Sequence, residues 1–216
     1  MPASLLFPTK CALCRRLLTK AETDLCHHCR THAPELLHTK RNIPFIAQWT
    51  ALWYYKDGVR KSIHRFKFSN ARSYAEVYAR HLAVKLLECD YADRFDILTW
   101  VPTSPLRRFA RGYDQSALLA GALGKELSIR PVKVLQKIRH TPPQSGLRDA
   151  SQRRANVQGA YRVRSHETIA GKRILLLDDV LTTGATASEC ARVLLTAGAQ
   201  EVYFAAVAAA SHDKTK

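Results

Sequence analysis

Apolar positions along the chain fall either into short continuous runs or at helical spacing. Leu52, Tyr54 and their neighbours form a strand-like run, and Asp57-Gly58 after it is a turn signal. Val59, Ile63 and Phe66 then recur at the interval of one helix face. Ser73-Tyr74-Ala75-Glu76 has the form of a capping box, with Tyr78, Ala79, Leu82 and Leu86 along one face behind it. Phe95 to Val101 reads as a buried strand running into a proline-rich loop at Pro102 and Pro105. Leu118 to Leu127 is helical despite Gly121 and Gly124. Arg173 to Leu177 is a further apolar strand, Thr186 to Ala197 a helix stopped by Gly198, and Glu201 to Val207 a last strand. Strands alternating with helices predict an α/β fold, a parallel sheet flanked by helical crossovers.

The first part of the chain does not share this pattern. Cys11, Cys14, Cys26 and Cys29 form C-x2-C-x11-C-x2-C, two turns that each offer two thiolates to one tetrahedral ion. So short a segment cannot bury a core of its own, so structural zinc is the physical reason for it to be ordered. His27 and His28 lie inside the second knuckle, where either could replace a cysteine or simply face water. Residues 1–48 are therefore expected to be a four-cysteine finger and connector, and residues 49–216 the α/β domain. Cys89 and Cys190 fall in helical patterns as buried, inert thiols.

Charge narrows the partners. The 216 residues include 34 Lys and Arg against 18 Asp and Glu, a net charge of +16. Such a field gathers nucleic acid, phosphorylated metabolites or an acidic membrane surface. The start of the chain lacks the basic-then-apolar form of a secretory leader, and no apolar stretch approaches the length of a membrane span. Paired cysteines without a leader suggest a reducing compartment, so the protein is expected in the cytoplasm.

The segment Ile174-Leu-Leu-Leu-Asp178-Asp179-Val180-Leu181-Thr182-Thr183-Gly184-Ala185-Thr186 carries the chemistry. An apolar strand meets two carboxylates, and a Thr/Gly loop then opens a helix, the place where open α/β sheets bind ligands. Loop N–H groups and the helix N-terminus make an anion cradle, and Gly184 lets the backbone come close. Carboxylates beside a phosphate cradle make sense if the ligand also carries hydroxyls or magnesium, as a ribose 5-phosphate does.

This segment resembles the 5-phosphoribosyl-1-pyrophosphate (PRPP) motif of type I phosphoribosyltransferases. The resemblance implies that Asp178 and Asp179 hold the ribose hydroxyls and act in catalysis, and that Thr182 to Thr186 hold the 5′-phosphate. Val101-Pro102-Thr103-Ser104-Pro105 with Arg108 and Arg111-Gly112-Tyr113-Asp114-Gln115-Ser116 resembles the pyrophosphate-side loop of the ComF family. Gln144-Ser145-Gly146-Leu147 with Arg153 and Asn156, Tyr55-Lys-Asp-Gly58-Val-Arg60, the Lys67-Phe68 pair and the cysteine finger fit the same family. Asp114 departs from it, standing where the family commonly has Asn.

Arg107, Arg108 and Arg111 suit the pyrophosphate and its magnesium, or they are a solvated loop face. Residues 137–164 hold seven Lys or Arg and one acid, and with Pro142, Pro143 and Gly146 they read as a mobile flap or a plain surface loop. Lys67, Arg148, Arg153 and Arg154 are candidate flap or DNA contacts. The ComF resemblance implies a role in natural transformation, the handling of incoming single-stranded DNA, with a competence helicase or another uptake protein as partner. Phe66, Phe68, Tyr74, Tyr113 and Tyr161 among basic residues suit base stacking as well as a core. The basic segment Lys56 to Arg72 suits a helix laid on DNA or an ordinary amphipathic helix. A metabolic phosphoribosyltransferase of salvage or purine synthesis, and a non-catalytic PRPP sensor, are the alternatives.

Overall fold

The computed structural model describes residues 9–36, 41–89, 91, 93–141 and 150–211. The cysteine segment comes first. A bridge between Lys10 and Leu17 closes one turn, and Cys26 caps the short helix α1 (His27–His32), its sulfur accepting from the Cys29 N–H. The connector that follows runs along the outer edge of strand β1 (Gln48–Tyr54). There the Leu36 N–H donates to Leu52 and the Tyr54 N–H donates to Pro34, so the strand's open edge is covered.

Helix α2 (Asp57–Phe68) begins at once after β1. Asp57-Gly58 is its first turn rather than a free-standing turn: Asp57 takes a left-handed φ of 46° and Lys56 is the N-cap. Helix α3 (Tyr74–Glu88) also starts differently from its capping-box pattern. Ser73 is already in helical conformation and makes no side-chain cap, because the carbonyls of Ala71, Arg72 and Ser73 take the first N–H groups of the helix. Strand β2 (Ile97–Trp100) leads to helix α4 (Pro105–Arg111), where a loop was expected. Ser104 caps it, Pro105 sits at N1, and Gly112 ends it with φ of 77°. A Ser-Pro pair is thus a helix start, since Pro pre-sets φ and needs no N–H there.

Helix α5 (Gln115–Glu126) is followed by strand β3 (Leu135–Lys137), helix α6 (Ala150–Val157) and strand β4 (Tyr161–Val163). β3 and β4 pair antiparallel as a separate two-stranded sheet. Strand β5 (Arg173–Leu181), helix α7 (Ala185–Thr196) and strand β6 (Glu201–Ala209) complete the chain. The main sheet has the order β1-β6-β5-β2, all parallel.

β5 does not stop at Leu177. It runs on through the two aspartates because β6 continues beside it, pairing Asp178 with Ala206 and Leu181 with Ala209. Both faces of the sheet are covered, which is why β5 is apolar at successive rather than alternate positions. Leu175 and Leu177 pack with α2, α3 and α5, while Ile174 and Leu176 pack with α7 and the β3–β4 hairpin. Cys11, Leu13, Leu25, Cys26 and Cys29 belong to the first of these cores, so the finger shares its interior with α2 and α3. Polar contacts fix the dock: the Ser62 hydroxyl donates to the Ala12 carbonyl at 2.6 Å, and Arg65 donates to the Ala12 and Leu13 carbonyls at 2.9 and 2.7 Å. The Arg80 guanidinium meets Asp24 with both nitrogens, at 2.8 and 2.6 Å.

Of the aromatics that suit either base stacking or a core, most are interior. Phe66, Tyr113 and Tyr161 are buried, and the Tyr113 hydroxyl donates to the Phe66 carbonyl, so these rings build core rather than stacking platforms. Phe68 is 59% exposed and is the one strongly exposed member of that aromatic set. Cys190 is buried, whereas Cys89 is only half-buried at the end of α3. Among the described residues no helix is long and apolar enough to cross a membrane.

Candidate functional site

A cavity of about 890 Å³ opens where the carboxyl end of β5 meets the loops that follow β1 and β2. Asp178 and Asp179 stand at its floor. Asp178 accepts the Ser116 hydroxyl at 3.1 Å and the Asp179 N–H at 2.8 Å. Lys67, from the last turn of α2, meets Asp179 at 2.7 Å. Burial first, and the neighbouring Asp179 charge second, push the Asp178 carboxyl up to about 7, with Lys67 working in the opposite direction. Asp178 is therefore partly protonated near neutral pH, a state able to donate to or accept from a ligand hydroxyl.

Val180, Leu181, Thr182, Gly184 and Thr186 line the same cavity. Gly184 has φ of 79°, and a Cβ there would lie 3.1 Å from the Arg41 guanidinium and 3.2 Å from Ile43, so glycine is required twice over. Gly184 is the N-cap of α7 and brings no side chain of its own, so an anion can approach the helix start. Thr183 and Ala185 do not line the cavity: the Thr183 hydroxyl accepts the Ala185 N–H at 3.4 Å, and Ala185 is buried at the helix start.

Pro102 and Thr103 form the wall after β2, with Arg107 and Arg111 reaching in from α4. Arg108, on the same helix, is exposed and lies outside the cavity, since consecutive helical residues cannot share one face. Asp114 caps α5, accepting the Ala117 N–H at 3.2 Å, and also holds the Thr103 N–H and hydroxyl at 3.2 and 3.3 Å. An acid at this position shapes the loop, as an asparagine's carbonyl oxygen would. Of the flap candidates, Arg153 lines the cavity and Arg154 is exposed away from it. Arg148, with Pro142, Pro143 and Gly146, lies outside the described residues.

The fold also brings in side chains that the sequence did not assign to this site. Lys137, Thr141 and Tyr161, on and beside the β3–β4 hairpin, line the same cavity as the aspartates, and Ser116 holds Asp178. Lys137 and Tyr161 are direct cross-strand partners, but strands of three residues leave no periodic signal to find them by. Arg41 arrives from the connector and donates to the Thr182 carbonyl at 2.5 Å.

In the finger, the sulfurs of Cys11, Cys14, Cys26 and Cys29 all lie within 4.8 Å of one another, and those of Cys14 and Cys26 are 3.7 Å apart. Four thiolates bonded to one ion at ~2.3 Å stand close to 3.8 Å apart, so the group fits a single tetrahedral metal. His27 and His28 are exposed and outside the cluster.

Comparison with known proteins agrees with this geometry. The phosphoribosyl transferase domain matches residues 114–216, from the cap of α5 through β5, α7 and β6. Competence protein F of Haemophilus influenzae is 28% identical over 218 residues, covering 91% of this chain and 95% of that one. The DNA utilization protein YhgH of Escherichia coli is 29% identical, covering 89% of this chain and 86% of its own. Competence protein ComFC of Bacillus subtilis is 26% identical, covering 87% and 78%. These likenesses over most of the chain, the phosphoribosyl transferase domain and the four-cysteine cluster ahead of it make the chain similar to the competence F, ComFC and YhgH proteins.

Proposed function

We propose that the protein binds PRPP in the cavity at the end of β5 and acts in natural transformation, on incoming single-stranded DNA in the cytoplasm. One observation carries the reading: two aspartates and an anion-cradling loop open into the same cavity as Lys67, Arg107 and Arg111. In it Asp178 and Asp179 take the ribose 2′- and 3′-hydroxyls, and Thr182 to Thr186 take the 5′-phosphate. The arginines of α4 face the pyrophosphate through charge-assisted forks. Magnesium travels with the pyrophosphate and neutralises charge on it as a leaving group. If the ribose is transferred, its C1 becomes cation-like as pyrophosphate departs, and the buried carboxylates stabilise that charge.

The finger's thiolates suit structural zinc, which would crosslink residues 11 to 29 and hold the dock on α2 and α3. The transformation role rests on the names of the relatives and on the +16 charge. Calorimetric titration of magnesium-PRPP into the wild type and into Asp178→Ala/Asp179→Ala tests the core of the reading. Binding that the double variant loses supports it, and an unreactive wild type would sink it.

A further inference from the structure

Helix α1 carries histidines that belong neither to the sulfur cluster of the finger nor to the cavity. His28 and His32 stand one turn apart and both are exposed. Their ring centres are 4.5 Å apart and their planes lie within 14° of parallel. Positions i and i+4 are neighbours on one helix face, so the two imidazoles meet there without any help from the remainder of the fold. Arg30, two residues from each, projects from the opposite side of the helix and donates to the Thr23 carbonyl at 3.2 Å.

The bonds around Thr31 decide how the His32 ring is used. The Thr31 hydroxyl donates to the His27 carbonyl at 3.0 Å, which leaves its lone pairs for His32 Nδ1, 2.7 Å away. The His28 carbonyl lies 3.1 Å from the same nitrogen. Both neighbours accept, so in the neutral ring Nδ1 carries the proton and Nε2 keeps its lone pair. A backbone carbonyl or similar acceptor on the second ring nitrogen is the ordinary support of a metal-binding histidine. Two nitrogens on one ion stand about 3.0–3.4 Å apart. That is closer than the ring centres here, and small rotations of two exposed side chains close the difference.

We infer that His28 and His32 form a second metal site, separate from the four cysteines, for a divalent ion of the kind imidazole prefers: zinc, nickel or copper(II). Two protein ligands with water completing the shell hold an ion exchangeably, whereas four thiolates enclose theirs. The ion also acts on the finger. α1 has six residues, too few for a stable helix in isolation, and it carries Cys29 with Cys26 as its cap. An ion that bridges one turn of α1 binds only the folded helix, and so stabilises the knuckle that the helix supports.

Protein loaded with a single equivalent of zinc is titrated calorimetrically with further zinc, as wild type, His28→Gln, His32→Gln, Thr31→Val and His27→Gln. Protection of the cysteine thiols from alkylation, measured in parallel, reports the four-cysteine site independently. Wild type is expected to take up a further ion and to gain several degrees in melting temperature as it does so. Affinity for that ion is expected to fall at least about tenfold in His28→Gln and in His32→Gln. Thr31→Val, which releases the His32 ring, should show part of that loss, and His27→Gln should match wild type. Uptake that survives both glutamine variants at the pair, or that is missing from wild type with its thiols protected, overturns the site. Binding through the pair with an unmoved melting temperature refutes the clamp on α1. Thiols open to alkylation in the loaded wild type would instead overturn the four-cysteine reading, while histidine-dependent uptake would still support the pair.

Discussion

Lys67 Nζ lies 2.7 Å from Asp179 Oδ1, an ion pair spanning from α2 to β5 across the floor of the cavity. It sets the charge of the whole acid pair, because Lys67 also draws down the buried Asp178 carboxyl. Removing the ammonium leaves two neighbouring carboxyls without a counter-charge. Lys67→Met is therefore expected to raise the titration of Asp178 and to cost about 1–3 kcal/mol of stability at neutral pH. Thermal melts read the loss, and carboxyl titration followed by NMR reads the upward shift; a downward shift would refute the account.

Two perturbed groups of the cavity act on the pH dependence with opposite sign. The Asp178 carboxyl is raised to about 7 in the fold, so between about 4 and 7 the native state binds more protons than the unfolded chain. Its contribution is most favourable at low pH and is lost as pH rises through 7. The Lys137 ammonium is lowered to about 8, so between about 8 and 10 the unfolded chain binds more protons and stability rises with pH. Together they leave a trough between roughly 7 and 8. Asp178→Asn removes the acid side of the trough, and its stability relative to wild type is expected to grow from pH 4 to 8, reaching on the order of 1–4 kcal/mol. Paired denaturant titrations at each pH measure that difference, and a flat difference would count against it.

Arg41 reaches the phosphate loop from outside. Its guanidinium donates to the Thr182 carbonyl at 2.5 Å, and its own carbonyl accepts the Trp49 indole N–H at 2.8 Å. In a trans peptide the next N–H points opposite to the carbonyl, so drawing the Thr182 carbonyl toward Arg41 aims the Thr183 N–H away from it. Arg41 is a positioning residue for the cradle. Arg41→Ala is expected to weaken ribose 5-phosphate binding by about tenfold while moving the melting temperature little, since one lost hydrogen bond is worth about 1 kcal/mol. Gly184→Ala should weaken the same binding and also destabilise by about 1–2 kcal/mol, from its φ and the contact with Ile43. Unaltered affinity in both variants would show that the loop needs no brace.

The finger's interior is continuous with the first core, and Ser62 and Arg65 bond to its backbone. If the cysteines hold zinc as proposed, its loss is thus expected to reach beyond residues 11 to 29. Chelation, or Cys26→Ser, should lower a single melting transition by several degrees, because each lost kcal/mol moves Tm by about 2–8 °C. Scanning calorimetry with and without a chelator checks it, and a separate early transition with an unmoved main one would show the two parts are independent.

Legibility in the sequence tracked continuity of pattern. The aspartate loop is one unbroken segment, so its place at the end of a strand was legible directly, though Thr183 and Ala185 do not line the cavity. So were the four cysteines, whose spacing alone brings their sulfurs together. Boundaries moved where a neighbour decided them: β5 extends to Leu181 only because β6 continues beside it. Lys137, Thr141 and Arg41 could not be placed in the site because the first two sit on or beside a three-residue strand and the third is in a connector, where nothing local marks a side chain as facing a cavity. The basic helix shows the limit of charge counting. Two of its cations, Arg65 and Lys67, are spent inside the protein, on the finger and on Asp179.

Helix α4 carries one exposed surface of cations and apolar side chains. Phe109 is 91% exposed and Leu106 64%, beside the exposed Arg108. Arg111 lies 4.7 Å over the exposed ring of Phe68 nearby. Exposed rings beside cations are what a single strand needs, stacking for bases and charge for phosphates. Phe109→Ala and Arg108→Gln are each expected to weaken binding of a fluorescent oligothymidine, the first by about tenfold at constant salt slope, since a stacked base is worth about 1–3 kcal/mol. The second should reduce the slope of log affinity against log salt by about 0.7, one phosphate's share on single strands. Both residues lie outside the cavity lining, so magnesium-PRPP titrations of the same variants should match wild type. Oligonucleotide affinity that ignores both changes would move the DNA contact off this helix.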